Sequence, residues 1–275
     1  MQHIRSLYLA CALFASACTF EPSHLAGGPQ PPPSGAPDAA TPVPDAAVAL
    51  DAPFTTAPDA GEADAAPVDA EPPAAAFCNP GDPALVGCFA FENDTADASS
   101  AGLVVTAVGV SFDQGMRGLA LVTTDQSSVS IAETPDLDVS AVTVEMWVRP
   151  GQIPASGRVG IFDNDGQYGM FVEPGGTVRC SDGSRAVTVS GAVAVDVWAH
   201  VACTHDGQTI TVYIDGQSRA VGSGNPLSTG GGNGCRIASN SPSGDPFTGR
   251  IDELRIWSRV RTPGEICAAA GCTTQ

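Results

Sequence analysis

Positive charge is scarce in this 275-residue chain, where 12 Lys and Arg stand against 30 Asp and Glu for a formal net charge of −18. So acidic a chain repels phosphate backbones, which argues against nucleic acid as a partner. Divalent cations, neutral sugars and basic partners are compatible with it. Residues 19–76 hold no Lys or Arg at all. The apolar run LYLACALFASA at residues 7–17 is too short to cross a bilayer as a mature helix. No C-x-x-C pair is present, which removes the usual zinc and redox spacings. G-x-S-x-G, H-E-x-x-H and a Gly-rich phosphate loop in strand-to-helix context are missing too, and with them the commonest hydrolase, zinc-protease and nucleotide sites. No window keeps a helical period apart from a short closing segment, TPGEICAAAG, where Thr262 and Glu265 have capping-box spacing.

What is present divides the chain in three. Residues 1–17 carry Arg5, the apolar run and small residues before Cys18, the layout of a signal peptide. The sequence ASAC at residues 15–18 resembles a bacterial lipobox, which makes Cys18 the expected lipidation site, while ASA also satisfies an ordinary secretory cleavage site. Thr19 after the Cys implies, by that resemblance, outer-membrane anchoring through lipid at the cell surface. Residues 18–76 are rich in Ala, Pro and Asp, with little to bury and carboxylates that repel, so a disordered tether is expected. Residues 77–275 are the folded domain.

Of nine cysteines, Cys11 falls in the signal peptide and Cys18 in the lipobox. In an exported chain the rest are expected to form disulfides. Cys78 and Cys88 bracket the start of the domain and Cys267 and Cys272 its end, which suggests bridges joining the termini, Cys78 to Cys272 and Cys88 to Cys267. Local pairing, Cys78 to Cys88 and Cys267 to Cys272, is the alternative. Cys180 and Cys203 lie on successive predicted strands and form the third expected pair, leaving Cys235 free.

Beyond Cys88 the chain is a series of short β-rich runs, among them VTVEMWVRP, RVGIFDN, YGMFVE, TVRCS, WAHVACTHD, TITVYIDG and GRIDELRIWS, separated by turn sequences such as EPGG, HDGQ and DGQS. The expected fold is all-β, antiparallel hairpins in a sandwich or barrel. Alternation assigns faces. Val144, Met146 and Val148 oppose Glu145 and Trp147, Val212 opposes Tyr213, and Asp252, Leu254 and Ile256 oppose Ile251, Glu253, Arg255 and Trp257. The aliphatic sets are assigned to the core. The mixed set, Glu145, Trp147, Trp198, His200, Tyr213, Arg255 and Trp257, combines rings with hydrogen-bonding groups and is a candidate ligand face, since a sugar offers an apolar CH face and hydroxyls; the alternative is that its Trp residues pack at the core edge or under loops. A second cluster, FDNDGQYG at residues 162–169, begins like a calcium loop but has Pro174 where an EF-hand needs Glu. It reads as a turn, the alternative being a ligand rim lined by Asp163, Asn164, Asp165 and Tyr168 with Asn240 nearby.

VTVEMWVRP, WAHVACTHDGQTITVYIDGQ and FTGRIDELRIWSRVRTPGEI, in that order, resemble the LamG-like jelly-roll domains of the concanavalin A-like lectin/glucanase superfamily over about residues 84–267. The resemblance implies an all-β, antiparallel two-sheet jelly-roll sandwich whose first and last strands are neighbours. It also implies a structural Ca²⁺ held by Glu92, Asp97 and Asp252. Glycosidases of this fold carry E-x-D-x-E or E-x-D-x-x-E, and neither occurs, because Glu145 is followed by MWV and Glu253 by LRI. The expected function is a non-catalytic surface module binding glycan or a surface protein. The alternatives are an adhesive protein-interaction domain and a divergent polysaccharide-acting enzyme.

Overall fold

The computed structural model describes residues 77–230 and 232–273. The segments expected to be signal peptide and tether, and Cys18, lie outside the described residues. Fifteen strands occur among those described: β1 (Leu85–Phe89), β2 (Val105–Val108), β3 (Ser111–Gln114), β4 (Leu119–Thr123), β5 (Ser128–Ile131), β6 (Val142–Pro150), β7 (Val159–Asn164), β8 (Tyr168–Glu173), β9 (Thr177–Ser181), β10 (Ala186–Val189), β11 (Ala199–His205), β12 (Thr209–Ile214), β13 (Gln217–Ser223), β14 (Cys235–Ile237) and β15 (Gly249–Trp257). One helix, α1 (Pro263–Ala269), follows. All pairings are antiparallel. The eight-stranded sheet runs β13-β12-β11-β6-β15-β4-β3, with β1 beside β15, and the seven-stranded sheet runs β10-β9-β8-β7-β14-β5-β2.

The sheets pack face to face over a core in which Phe89, Phe91, Phe162, Phe247, Leu121 and Met146 are fully buried. Each such side chain contributes about 1.5–3 kcal/mol relative to exposure. Val144, Met146 and Val148 face this core as alternation requires. The first and last strands are neighbours, with Phe89 opposite Leu254.

Strict alternation fails at one place in β15. Asp252 stands opposite Trp147 and Arg255 opposite Glu145, so three steps along β15 match two along β6. This extra residue is a β-bulge, and Glu253 takes it up with a φ of 50°. Ile251, Leu254 and Ile256 therefore all enter the core, and Asp252 does not share the core face with Leu254. Also at the bulge, the neighbour on one side of β15 changes from β4 to β1.

The disulfides are local, which corrects the expectation that they join the termini. Cys78 pairs with Cys88 because residues 77–84 fold back onto β1, where Leu85 N–H donates to Asp82 O at 3.1 Å. Cys267 pairs with Cys272 because the end of α1 turns back, with Cys272 N–H donating to Cys267 O at 3.0 Å. Neither Cys78–Cys272 nor Cys88–Cys267 forms. Cys180 and Cys203 belong to opposite sheets, and their thiols meet across the core within hydrogen-bond reach as free thiols. Cys235 is a third buried thiol, as expected.

Candidate functional site

The face expected to bind ligand, on the eight-stranded sheet, is covered. Residues 258–262 and α1 lie across its outer side, where Ile266 packs on Ala202 and Tyr213. Glu145 is 0% exposed, Trp147 8%, His200 2% and Trp257 7%. Trp198 is half-buried at the entrance to β11. Glu145 is the centre of this layer. It receives Arg255 Nη2 at 2.8 Å, Arg261 Nη1 and Trp257 Nε1 at 3.3 Å. Arg261 also stacks over the Trp257 ring at 4.8 Å, and Arg255 lies over Phe77 at 4.4 Å. His200 contacts the Trp147 ring edge-on at 5.3 Å, and burial depresses its imidazole to about 3, so it is neutral near pH 7. These rings and charges hold a third layer onto the sheet. Among them Trp198 and Arg255 stay half-buried, and Tyr213, with Thr204, Asp206, Val260 and Arg261, lines an open cavity of about 280 Å³ at the edge of this layer.

The residues expected to hold calcium separate into two groups. Asp97 organises the loop after β1. Its Oδ1 accepts from Cys88 N–H and Ser99 N–H at 2.8 and 3.0 Å, and its Oδ2 from Ser99 Oγ and Leu103 N–H at 2.7 and 2.8 Å. Four donors occupy its lone pairs, so it does not fit the part of a metal ligand. Glu92 and Asp252 instead converge on the turn between β3 and β4. Glu92 accepts from Leu119 N–H at 3.1 Å, and Asp252 Oδ2 from Arg117 N–H at 3.0 Å. Asp252 Oδ1 is buried without a hydrogen-bond partner, and burial pushes this carboxyl up to about 7. Among the described residues no group of three His, Cys, Asp or Glu side chains is close enough to hold a metal by side chains alone.

The outer face of the seven-stranded sheet carries an open cavity of about 250 Å³. The register builds its floor. Asp163 on β7, Gly169 on β8 and Ser181 on β9 stand in one cross-strand row, and Phe171 and Arg179 in the next. Its walls are the β7–β8 turn at Asp165 and Gly166, Gly183 after β9, and Asn240 and Ser241 after β14. Gly169 is required: a Cβ there would stand 2.5 Å from Asp163 Oδ1 and 2.9 Å from the Phe171 ring. With no side chain at that point, Asp163 and Phe171 lie across the strand.

Asp163 Oδ2 accepts Ser241 N–H at 2.8 Å, and burial raises its carboxyl to about 6. Asp165 is held at the rim by Asn233 Nδ2 at 2.7 Å. Arg158 lies over the Phe171 ring at 4.0 Å and reaches Asn240 Oδ1 at 3.5 Å. Of the expected rim, then, Asp163, Asp165 and Asn240 line the cavity. Asn164 and Tyr168 face the other side of the sheet, where both donate to Leu137 O, at 3.3 and 3.0 Å. Arg158, Phe171, Arg179, Ser181 and Ser241 were not anticipated. The signal for the middle three was the alternation of YGMFVE and TVRCS, whose odd-numbered residues after Tyr168 and Thr177 interleave with the core set.

Two antiparallel sheets face to face, one with a polar cavity on its open side, define a lectin-like sandwich domain. The chain belongs to the concanavalin A-like lectin/glucanases superfamily, which its residues 123–267 match. No curated protein sequence matches it. Among solved structures it is similar to domain 4 of an extracellular GH43 arabinanase from Geobacillus stearothermophilus, solved with arabinotriose, at 22% identity and TM-score 0.56, over 68% of this chain and 98% of that one. It is also similar to the binding domain of Paraclostridial Mosquitocidal Protein 1 (17%, TM-score 0.55, 68% and 51%). A third is the binding domain of botulinum neurotoxin serotype G (11%, TM-score 0.55, 68% and 50%). The chain spans about half the length of these two toxin domains.

Proposed function

We propose that this protein is a non-catalytic surface module that binds glycan in the cavity on the seven-stranded sheet. The observation that carries the reading is convergence there of a buried acceptor, Asp163, with Asn240, Ser181 and two arginines around a space of about 250 Å³. That is below the range of about 300–1,000 Å³ typical of drug-sized ligands and suits a sugar-sized group. The lipobox at Cys18 supports display of the domain from the outer membrane on its acidic tether. Similarity in fold to an arabinanase domain solved with arabinotriose, and to toxin binding domains, supports a binding role. The test is a glycan array probed with the full chain. Binding lost in Asp163→Ala and in Asn240→Ala, with both variants folded, supports the site, and retained binding refutes it. A surface protein is the alternative partner, and capture of one that survives Asp163→Ala would favour it.

The raised carboxyl of Asp163 favours a second reading, since general acids of glycosidases share that property. A glycosidase also needs a second carboxylate at a set separation. Release of reducing sugar from polysaccharides by wild type, and not by Asp163→Asn, would establish it.

We also propose a structural Ca²⁺ at the seam between β1 and β4, held by Glu92, Asp252 and main-chain carbonyls of residues 115–118. The partnerless Oδ1 of Asp252 supports it. When bound, the ion would supply positive charge between two carboxylates and cross-link the first-strand loop to the last strand. A cation bound only by the folded state raises the melting temperature. An unchanged melting temperature on chelation, in protein purified with calcium, would refute it.

A further inference from the structure

The cavity on the seven-stranded sheet is built for charge rather than for ring stacking. Neutral sugars are usually held on an exposed aromatic ring. Phe171, the aromatic ring in this cavity, is 2% exposed and has the Arg158 guanidinium over it at 4.0 Å. No face of it is free for a sugar. In its place stand two guanidiniums on either side of that ring, Arg158 and Arg179.

Neither guanidinium is used up by its partners. Charge-assisted N–H···O bonds run to about 2.7–2.9 Å. Arg255 meets that standard on Glu145 at 2.8 Å. Arg179 Nη1 reaches Glu173 Oε1 only at 3.4 Å, and its Nε is buried with no partner. Arg158 Nε reaches Asp245 Oδ2 only at 3.5 Å, and its Nη2 reaches Asn240 Oδ1 at the same distance. All 12 basic residues of the chain are arginine, the side chain whose planar fork matches a carboxylate. Asp163 and Asn240 complete the set with acceptors for sugar hydroxyls.

We propose that the ligand is an acidic glycan, with a uronic acid carboxylate taken between Arg158 and Arg179 and the ring hydroxyls taken by Asp163 and Asn240. This rests on the glycan-binding reading and names the sugar class. A neutral sugar leaves both guanidiniums with only their long ion pairs to Asp245 and Glu173. A methyl ester of the same sugar keeps every hydroxyl and replaces the charged carboxylate by a neutral group one methyl larger.

The experiment is calorimetric titration of the full chain with trigalacturonic acid, its methyl ester and neutral arabinotriose. The acid is expected to bind at least about tenfold more tightly than its ester, the equivalent of one or two hydrogen bonds to a charged group. Arg179→Gln, and separately Arg158→Gln, should lower affinity for the acid by about tenfold and affinity for the ester by clearly less. Two variants in different segments, one before β7 and one on β9, guard against local misfolding, which melting curves detect. Equal binding of acid and ester, or an equal loss of affinity for both in the Arg variants, would overturn the acidic class while leaving a neutral-glycan site standing. No binding of any of the three would overturn both.

Discussion

Glu145→Ala discriminates most sharply between a covered face and a ligand face on the eight-stranded sheet. Glu145 is fully buried, and the two arginines on it keep only 12% and 10% of their side-chain surface exposed. Removing the carboxylate leaves two guanidiniums in a space that excludes water, with Trp257 Nε1 losing its acceptor. Breaking a buried ion pair from one side costs about 3–5 kcal/mol, most of it the penalty of the stranded partner. For a domain of this size each kcal/mol shifts the melting temperature by about 2–4 °C, so a fall of roughly 6–20 °C is expected in calorimetry or circular dichroism. Replacing Glu145, Arg255 and Arg261 together by Met should recover much of the loss, because no charge is then left unpaired. Two results would refute the reasoning. One is a loss under about 1 kcal/mol, the size expected at an exposed ion pair. The other is abolished glycan binding with an unchanged melting curve, which would put Glu145 at a ligand.

Asp163→Asn should stabilise the protein at pH 7 while weakening glycan binding. The folded carboxyl titrates near 6 against 3.8 when free, so its stabilising protonated state is fully present below pH 4 and lost as pH rises through 6; the gain on substitution is at most about 3 kcal/mol. No gain at pH 7, or an equal gain at pH 4, would count against the buried ionised carboxylate. His200 acts with the opposite sign: its folded pKa is depressed to about 3, so stability present above pH 6.5 is lost on acidification, about 2 kcal/mol by pH 5. His200→Phe should flatten that limb, measured by urea unfolding across pH 5–7, and an unaltered slope would refute the assignment. Non-reducing peptide mapping should return Cys78 joined to Cys88 and Cys267 joined to Cys272, with Cys180, Cys203 and Cys235 alkylated only after denaturation. A peptide joining Cys88 to Cys267 would contradict the local bridges.

The bounds of β6, β8 and β9 and the capping box at Thr262 are legible in the sequence because each depends on neighbours in the chain. Residue patterning alone does not mark β2, β3 or β13, whose exposed, polar or small residues give a weak alternation. The bulge at Asp252 and Glu253 is invisible in the same way, since IDELRIW alternates acceptably in either phase. Its phase is decided by β6, more than a hundred residues earlier, which puts Val148 against Ile251 and Val144 against Ile256.

The covering of the expected ligand face has a further cause. Alternation sorts a strand into two sides, but it does not say which side a third layer covers. The aromatic and charged residues of β6, β11 and β15 look like a sugar platform in isolation. The residues that cover them, Arg259, Arg261 and Ile266, come after the last strand, in a segment that reads as a tail. Where arginines follow a strand bearing Trp and Glu, stacking and ion pairing within the chain satisfy the same chemistry that a ligand would. The side that remains open is the one with Gly, Ser, Asp and Arg at alternate positions. Its small residues leave the space, and its charges, paired only at 3.4–3.5 Å, leave the donors. Under the acidic-glycan proposal, therefore, an incompletely paired arginine marks the binding surface of this domain better than an aromatic ring does.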